Sequence, residues 1–296
     1  MDDKYKFVEK GLIPLDKSWM IRMGLLDSIN GKDDIIRFME EWQDQGEDLQ
    51  ALYRVTRGWN SGKALDVGES GTVNRFFQFA SWKLGLHKEF LKRGTLLKRP
   101  ICDNPEIVNW PLERLASGEL DKGTSQWASA AVLLGNTDVL GKSAAFKLKL
   151  SYEALKYWKE RREEGKVWEA RYDETFLKQA NAFTDLFLTR KADWVAEQSE
   201  DYCFGRVFGW TSREYAEKHW PNLQGNETKR LDEVDNQIER YEKGLEITAP
   251  DHRIVQALAM KAKVDGKPVN FKHPDSVKKT WPRFWEFLDY AISLRK

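Results

Sequence analysis

The chain has 296 residues, 41% apolar and 12% aromatic with 13 tryptophans, enough to bury one large core or two of ordinary size. Its 48 basic and 47 acidic residues leave a formal net charge of +1, which argues against nucleic acid as a partner and against an acidic solvated tail. The two cysteines, Cys102 and Cys203, read as small apolar fillers, and with four scattered histidines they form neither a disulfide framework nor a metal-ligand spacing. The N-terminal "MDDKYKFVEKG" is too charged for a signal peptide, and no apolar run approaches membrane-spanning length. The expectation is a soluble, cytoplasmic protein with no membrane partner.

In chain order, Lys17, Ser18 and Arg22 open a first helical run. Residues 33–43, "DDIIRFMEEWQ", repeat apolar side chains at Ile35, Ile36, Phe38, Met39 and Trp42, a helical spacing. "DVGESGTVNRFF" (66–77) is a strand-to-helix loop with two glycines, and the helical period continues through "KLGL". "TSQWASAAVLLG" starts on a capping threonine and is apolar enough for a buried helix. "SYEALKYWKERREEG" (151–165), "NETKRLDEVDNQIERYEKG" (226–244) and "PDHRIVQALAMKAKVDG" (250–266) each end on a glycine suited to a C-terminal cap. A last helical stretch is "DSVKKTWPRFWEFLDYAISLRK". "KVWEARY", "GLEITAP" and "KPVNFK" read as strands or hairpin arms, and residues 166–200 mix both periods. The alternation predicts an α/β or α+β protein with layered sheets.

The arginines are placed unusually. Arg22, Arg75, Arg230 and Arg253 all lie near the starts of predicted helices, where the positive end of the dipole disfavours cations. Repeated placement there suits the clamping of phosphate or carboxylate beside free N–H groups.

At these residues the sequence resembles the 5-enolpyruvylshikimate-3-phosphate synthase family of enolpyruvyl transferases. "DKSWMIR" is similar to its K-S-x-x-x-R, through Lys17, Ser18 and Arg22. "DVGESGTVNRF" is similar to G-N-x-G-T-x-x-R-F, through Gly71, Thr72 and Arg75, and "GTLLKRPI" to the Arg-Pro segment through Arg99. "GTSQW" resembles S-S-Q-[FY], through Thr124, Ser125 and Gln126. "GNETKRLDEV" resembles K-E-[ST]-D-R-L, through Glu227 and Arg230. "APDHR" carries the D-H-R of Arg253, and "KKTWP" the K-[ST]-[FY]-P of Lys279. These seven motifs occur in the family's order. Asn226 stands where the family has lysine, Glu69 where it commonly has asparagine, and Thr124 where it has the first of two serines.

The resemblance implies a two-domain inside-out α/β barrel of βαβαββ units, with about one unit missing between Ser151 and Asp201. Domain two would run over 17–155, and domain one over 1–16 plus 156–296. It implies transfer of the enolpyruvyl group of phosphoenolpyruvate to the 5-hydroxyl of shikimate 3-phosphate, with no metal or organic cofactor, in a monomer. The catalytic groups would be Lys17, Asp201 as base and Glu227 as acid–base group; two carboxylates in unlike environments suit that chemistry. Phosphoenolpyruvate would be held by Lys17, Gly71, Arg99, Arg230, Arg253 and Lys279. Shikimate 3-phosphate would be held by Ser18, Arg22, Thr124, Ser125, Gln126, Ser151, Asp201, Asn222 and Asn226. His252 reads as a structural polar residue. Gly71 implies sensitivity to glyphosate, and the carboxylate of Glu69 calls for a cationic partner, Arg75 or Lys17. The sister activity, transfer to a UDP-sugar, uses a cysteine five residues before the arginine matching Arg99; here that position is Gly94. The alternatives are a catalytically impaired homologue that binds phosphorylated small molecules, or a transferase with a different acceptor.

Overall fold

A computed structural model describes residues 3–41, 45–121, 124–136, 138, 141–220, 223 and 229–295. About 60% of the chain is helical and 4% is in strands, so the fold is α-rich. The chain divides into two compact units, Leu15–Arg171 and Met1–Pro14 with Tyr172–Lys296.

The Leu15–Arg171 unit is built on helices α1 (Lys17–Ile29), α4 (Gly71–Lys83) and α6 (Gln126–Leu133), most of whose residues are buried. A helix that is apolar on all sides belongs inside, and Trp19, Phe76, Phe77 and Trp127 are fully buried there. Alanine and serine at 128–131 keep α6 narrow, which lets it pack closely on α4. Around these lie α2 (Asp34–Glu41), α3 (Glu47–Gly58), α5 (Leu112–Ala116) and the long α7 (Lys142–Glu163). The boundary expected between 155 and 156 falls inside α7, whose uninterrupted helical period keeps those residues in one body.

Two short strands, β1 (Leu65–Gly68) and β2 (Phe90–Lys92), pair in parallel, Leu65 opposite Phe90 and Asp66 opposite Leu91, with α4 as the crossover. The loop that the sequence placed between strand and helix at Asp66–Phe77 is therefore a β1-to-α4 turn.

In the second unit, α8 (Glu174–Thr189), α12 (His252–Asp265) and α13 (Phe284–Ser293) gather a core around Phe7, Phe183, Trp281 and Phe287. The other side of α12 packs with α9 (Tyr202–Val207) and α11 (Arg230–Glu242) around Leu231, Val234, Ile254 and Leu258. A short helix, α10 (Arg213–His219), joins this cluster through Ala216. Gly165, Gly244 and Gly266 follow α7, α11 and α12 at positive φ, the caps read from the sequence.

The layered sheets of βαβαββ units are not found among the described residues. "KVWEARY" forms no ladder, and "GLEITAP" and "KPVNFK" meet only at one parallel bridge, Ile247 with Phe271. Their alternation reflects one buried face: Trp168 is almost wholly covered beside Phe38 of α2, and Ile247 in the cluster that α9, α11 and α12 form. Among the described residues no helix is long and apolar enough to cross a membrane.

Candidate functional site

In the Leu15–Arg171 unit, the N-terminal ends of α1, α3, α4 and α6 come together. Asp16 caps α1 by accepting from the Ser18 and Trp19 N–H groups at 2.8 and 3.1 Å. Asp48, in the first turn of α3, then joins two of the ends: it pairs with Lys17 Nζ at 3.0 Å and accepts from the hydroxyl of Ser70, the N-cap of α4. Gln126, the first residue of α6, donates to Thr72 Oγ1 at 2.9 Å and accepts from Arg75 Nη1 at 2.9 Å. Lys17, Thr72, Arg75 and Gln126, drawn from three distant sequence motifs, thus share one end of the helix cluster.

Arg75 is fixed by Asp121, which accepts from its Nε at 2.6 Å and is itself almost fully buried. Asp121 also accepts from the Cys102 N–H and the Trp127 indole, and it holds φ at +46°. Sequence reasoning missed this residue. The available signal was an aspartate, tolerant of left-handed backbone, just ahead of the buried Trp127.

Gly71 begins α4 with no acidic side chain in the first turn. A Cβ there would stand 3.0 Å from Arg75 Nη1 and 3.4 Å from Arg99 Nη1, so two guanidinium groups flank the free N–H groups of this helix end. Glu69 finds neither cation expected for it. Lys17 goes to Asp48 and Arg75 to Asp121, while Glu69 Oε2 accepts from the N–H and hydroxyl of Thr95 at 3.1 and 2.7 Å.

Arg22 has the most telling surroundings. It is 9% exposed, donates from Nε to Ser151 Oγ at 2.9 Å and from Nη1 to the Ser18 carbonyl at 2.7 Å, and lies 5.4 Å from the Phe76 ring centroid. Among the described residues it makes no ion pair. Burial pushes its pKa down to about 10, against a raising influence from Asp16. Ser18, Arg22 and Ser151, 129 residues apart at the extremes of the Arg22–Ser151 bond, were all read from the sequence as contacts to shikimate 3-phosphate. Thr124 supplies a hydroxyl to the Gln126 N–H at 3.2 Å, and Ser125 precedes α6.

In the second unit, the starts of α9, α11 and α12 gather a mixed-charge cluster. Asp251 caps α12 by accepting from the Arg253 N–H at 2.9 Å and takes Arg230 Nε at 2.9 Å. Arg253 lies 3.7 Å from Glu200. Both arginines therefore have carboxylate partners, unlike Arg22. Burial alone would raise the Asp251 carboxyl, but Arg230, His252 and the Arg253 N–H hold it below the ordinary range. Burial pushes the Cys203 thiol up to about 12, with Asp251 adding to the rise, which leaves it protonated and inert. His252 is largely buried beside Asp251, and Lys279 is exposed on the turn Pro274–Lys279 packed against α12.

Asp201 does not face this cluster as a free base. It is 5% exposed, and its oxygens accept from the Gln179 amide at 3.1 Å and the Glu197 and Gln198 N–H groups at 2.9 and 3.2 Å. Burial raises its carboxyl despite those donors. It closes the turn before α9. The neighbouring Glu200 is the carboxylate of that segment that reaches an arginine of the cluster, and sequence reasoning passed over it. Asn222, Asn226 and Glu227 lie outside the described residues. Among the described residues no group of three His, Cys, Asp or Glu side chains is placed to hold a metal ion.

Compared with known protein families, curated proteins and solved structures, the chain matches none.

Proposed function

We infer that the chain is an enolpyruvyl transferase of reduced architecture, in which the helices of an inside-out barrel persist with little of its sheets. The substrates are phosphoenolpyruvate and a phosphorylated hydroxy acid of the shikimate 3-phosphate kind. The observation that carries this reading is Arg22: a desolvated guanidinium, held by Ser151 and the Ser18 carbonyl, with no described carboxylate in ion-pair contact. Burying a cation without a counter-ion is costly, and a ligand phosphate at that place removes the cost. A second anion fits at Gly71, between Arg75 and Arg99.

The reaction forms a bond from the acceptor hydroxyl oxygen to C2 of phosphoenolpyruvate, and the hydroxyl proton passes to a carboxylate. The methylene carbon takes a proton to become a methyl group. That methyl then returns a proton as the C2–O bond to phosphate breaks, so that inorganic phosphate leaves and the enol ether remains. Glu227 is assigned to the methylene carbon by its motif. The base toward the hydroxyl is better assigned to Glu200 than to Asp201, because Asp201 is committed to its cap.

A second reading, a phosphorylated-ligand binder without turnover, is favoured by the existing Arg230–Asp251 pair, which already occupies a group needed for phosphoenolpyruvate. One assay separates the two. Phosphate release from phosphoenolpyruvate is expected only when shikimate 3-phosphate is present. Glu200→Gln and Glu227→Gln are each expected to lower the rate by about a hundredfold or more, the usual scale for a lost acid–base group. Micromolar binding without phosphate release would establish the binder, and turnover with another acceptor would redefine the substrate.

A further inference from the structure

Glu69 is the residue of the α4 loop that an anion site does not call for, since a carboxylate beside such a site repels the ligand. Its geometry gives it a different task. Because β1 and β2 run parallel, the chain leaving β1 at Glu69 lies beside the chain leaving β2 at Gly94 and Thr95. Glu69 Oε2 accepts both the N–H and the hydroxyl hydrogen of Thr95. With that hydrogen committed, the Thr95 oxygen presents its lone pairs elsewhere, and Arg99 Nη2 donates to it at 3.1 Å. The other end of the same guanidinium, Nη1, is the group that stands over Gly71. Gly94 makes the arrangement possible: its φ is +50°, and a Cβ there would lie 2.0 Å from Glu69 Oε1.

We propose that Glu69 is a positioning residue that acts through the Thr95 hydroxyl to aim Arg99 across the N-terminus of α4, setting the affinity of that helix end for a phosphate or carboxylate. The ligand part rests on the anion-site reading above; the relay from Glu69 to Arg99 does not. Linked hydrogen bonds polarise one another, so the carboxylate also strengthens the hold of Thr95 on the guanidinium.

The proposal reverses a sign. A carboxylate acting through its charge alone weakens anion binding, so its removal tightens binding. A carboxylate acting through position strengthens binding, so its removal weakens it.

The test uses the full chain and the variants Glu69→Ala, Thr95→Val and Thr95→Ser, with two readouts. The first is the side-chain Nε–H signal of Arg99 in a nitrogen-15 NMR spectrum, assigned by its loss in Arg99→Lys. The second is the dissociation constant for inorganic phosphate by calorimetry. A resolved Arg99 signal is expected in the wild type and Thr95→Ser, merging with mobile arginines in Glu69→Ala and Thr95→Val. Phosphate affinity is expected to fall about fivefold in those two and to stay within about twofold in Thr95→Ser, the scale of one misaligned charge-assisted hydrogen bond. Unchanged or tighter phosphate binding in Glu69→Ala and Thr95→Val overturns the proposal. A wild type that binds no phosphate refutes the anion-site reading instead. The Arg99 signal then decides the relay, its loss in both variants sustaining it and its retention overturning it.

Discussion

Replacing Arg22 by methionine is expected to leave the stability of the unliganded protein nearly unchanged, against the usual cost of altering a buried residue. The guanidinium is 9% exposed and its pKa is pushed from the ordinary arginine range down to about 10, so holding it charged at neutral pH costs the fold about 3 kcal/mol. The variant loses the hydrogen bonds to Ser151 Oγ and the Ser18 carbonyl, each contributing about 1.5 kcal/mol because the donor is charged. Methionine fills much of the same volume against Phe76 without a charge. The relieved penalty and the lost hydrogen bonds nearly cancel, so the Tm is expected to stay within about 3 °C of the wild type. The desolvation penalty has a pH signature as well. A basic group whose folded pKa is depressed imposes its full penalty below that pKa, and the penalty is relieved as pH rises from about 10 toward the unfolded arginine value. The assay is thermal unfolding of wild type and Arg22→Met with and without millimolar phosphate. Phosphate is expected to raise the Tm of the wild type by more than that of the variant, which keeps only the Gly71 end. A variant more than about 2 kcal/mol less stable, the cost of an ordinary core truncation, would refute the idea that Arg22 is held at a cost for a ligand's sake.

Two further expectations concern the frame around the site. Asp27 is fully buried and accepts from the indoles of Trp158 and Trp168 at 2.8 and 3.0 Å, from Arg162 at 2.9 Å and from the Ile35 N–H at 2.9 Å. Asp27→Ala orphans the two indoles and the Ile35 N–H and leaves Arg162 to Asp34 alone, and it is expected to cost about 3–5 kcal/mol in denaturant unfolding, whereas a loss under 1 kcal/mol would show that the hub is dispensable. Asp251 sits below the ordinary carboxylate range because Arg230 and its cap outweigh burial, so its contribution is present above the unfolded pKa and disappears as pH falls through the depressed folded one. Asp251→Asn should therefore be less stable at neutral pH and should flatten the acid limb of the stability profile below about pH 4; an unaltered limb would place the acid sensitivity elsewhere.

The helices were legible because their apolar period and their glycine caps are local properties. Gly165, Gly244 and Gly266 end the predicted runs at positive φ, and α12 covers its expected stretch within two residues at its start. The strands were not, because alternation reports that one face is buried and says nothing of what buries it. Trp168 occupies an alternating stretch, yet its indole is turned to Asp27 on α1 instead of to a neighbouring strand. The same limit divides the candidate site. Arg22 and Ser18, a helical turn apart, could be paired from spacing, whereas Asp48, Asp121 and Glu200 owe their roles to partners 22 to 53 residues away that only the packing supplies.

That division also explains how anion-facing helix ends can be held with so little sheet. In a layered α/β unit, strands fix the register of the helices that follow them, and ligands gather at the strand ends. Among the described residues only the β1–α4–β2 crossover keeps that device, and it is where Glu69 and Thr95 meet. At the other helix starts, buried or half-buried carboxylates take over the alignment: Asp16 for α1, Asp48 between α1 and α4, Asp121 between α4 and α6, and Asp251 between α11 and α12. Each accepts from an N–H group, a lysine or an arginine that would otherwise repel its neighbours at the positive ends of the helices. Charge-assisted links of this kind are stronger than a ladder hydrogen bond, so a few of them hold helix ends in register while leaving guanidinium nitrogens such as Arg99 Nη1 over Gly71.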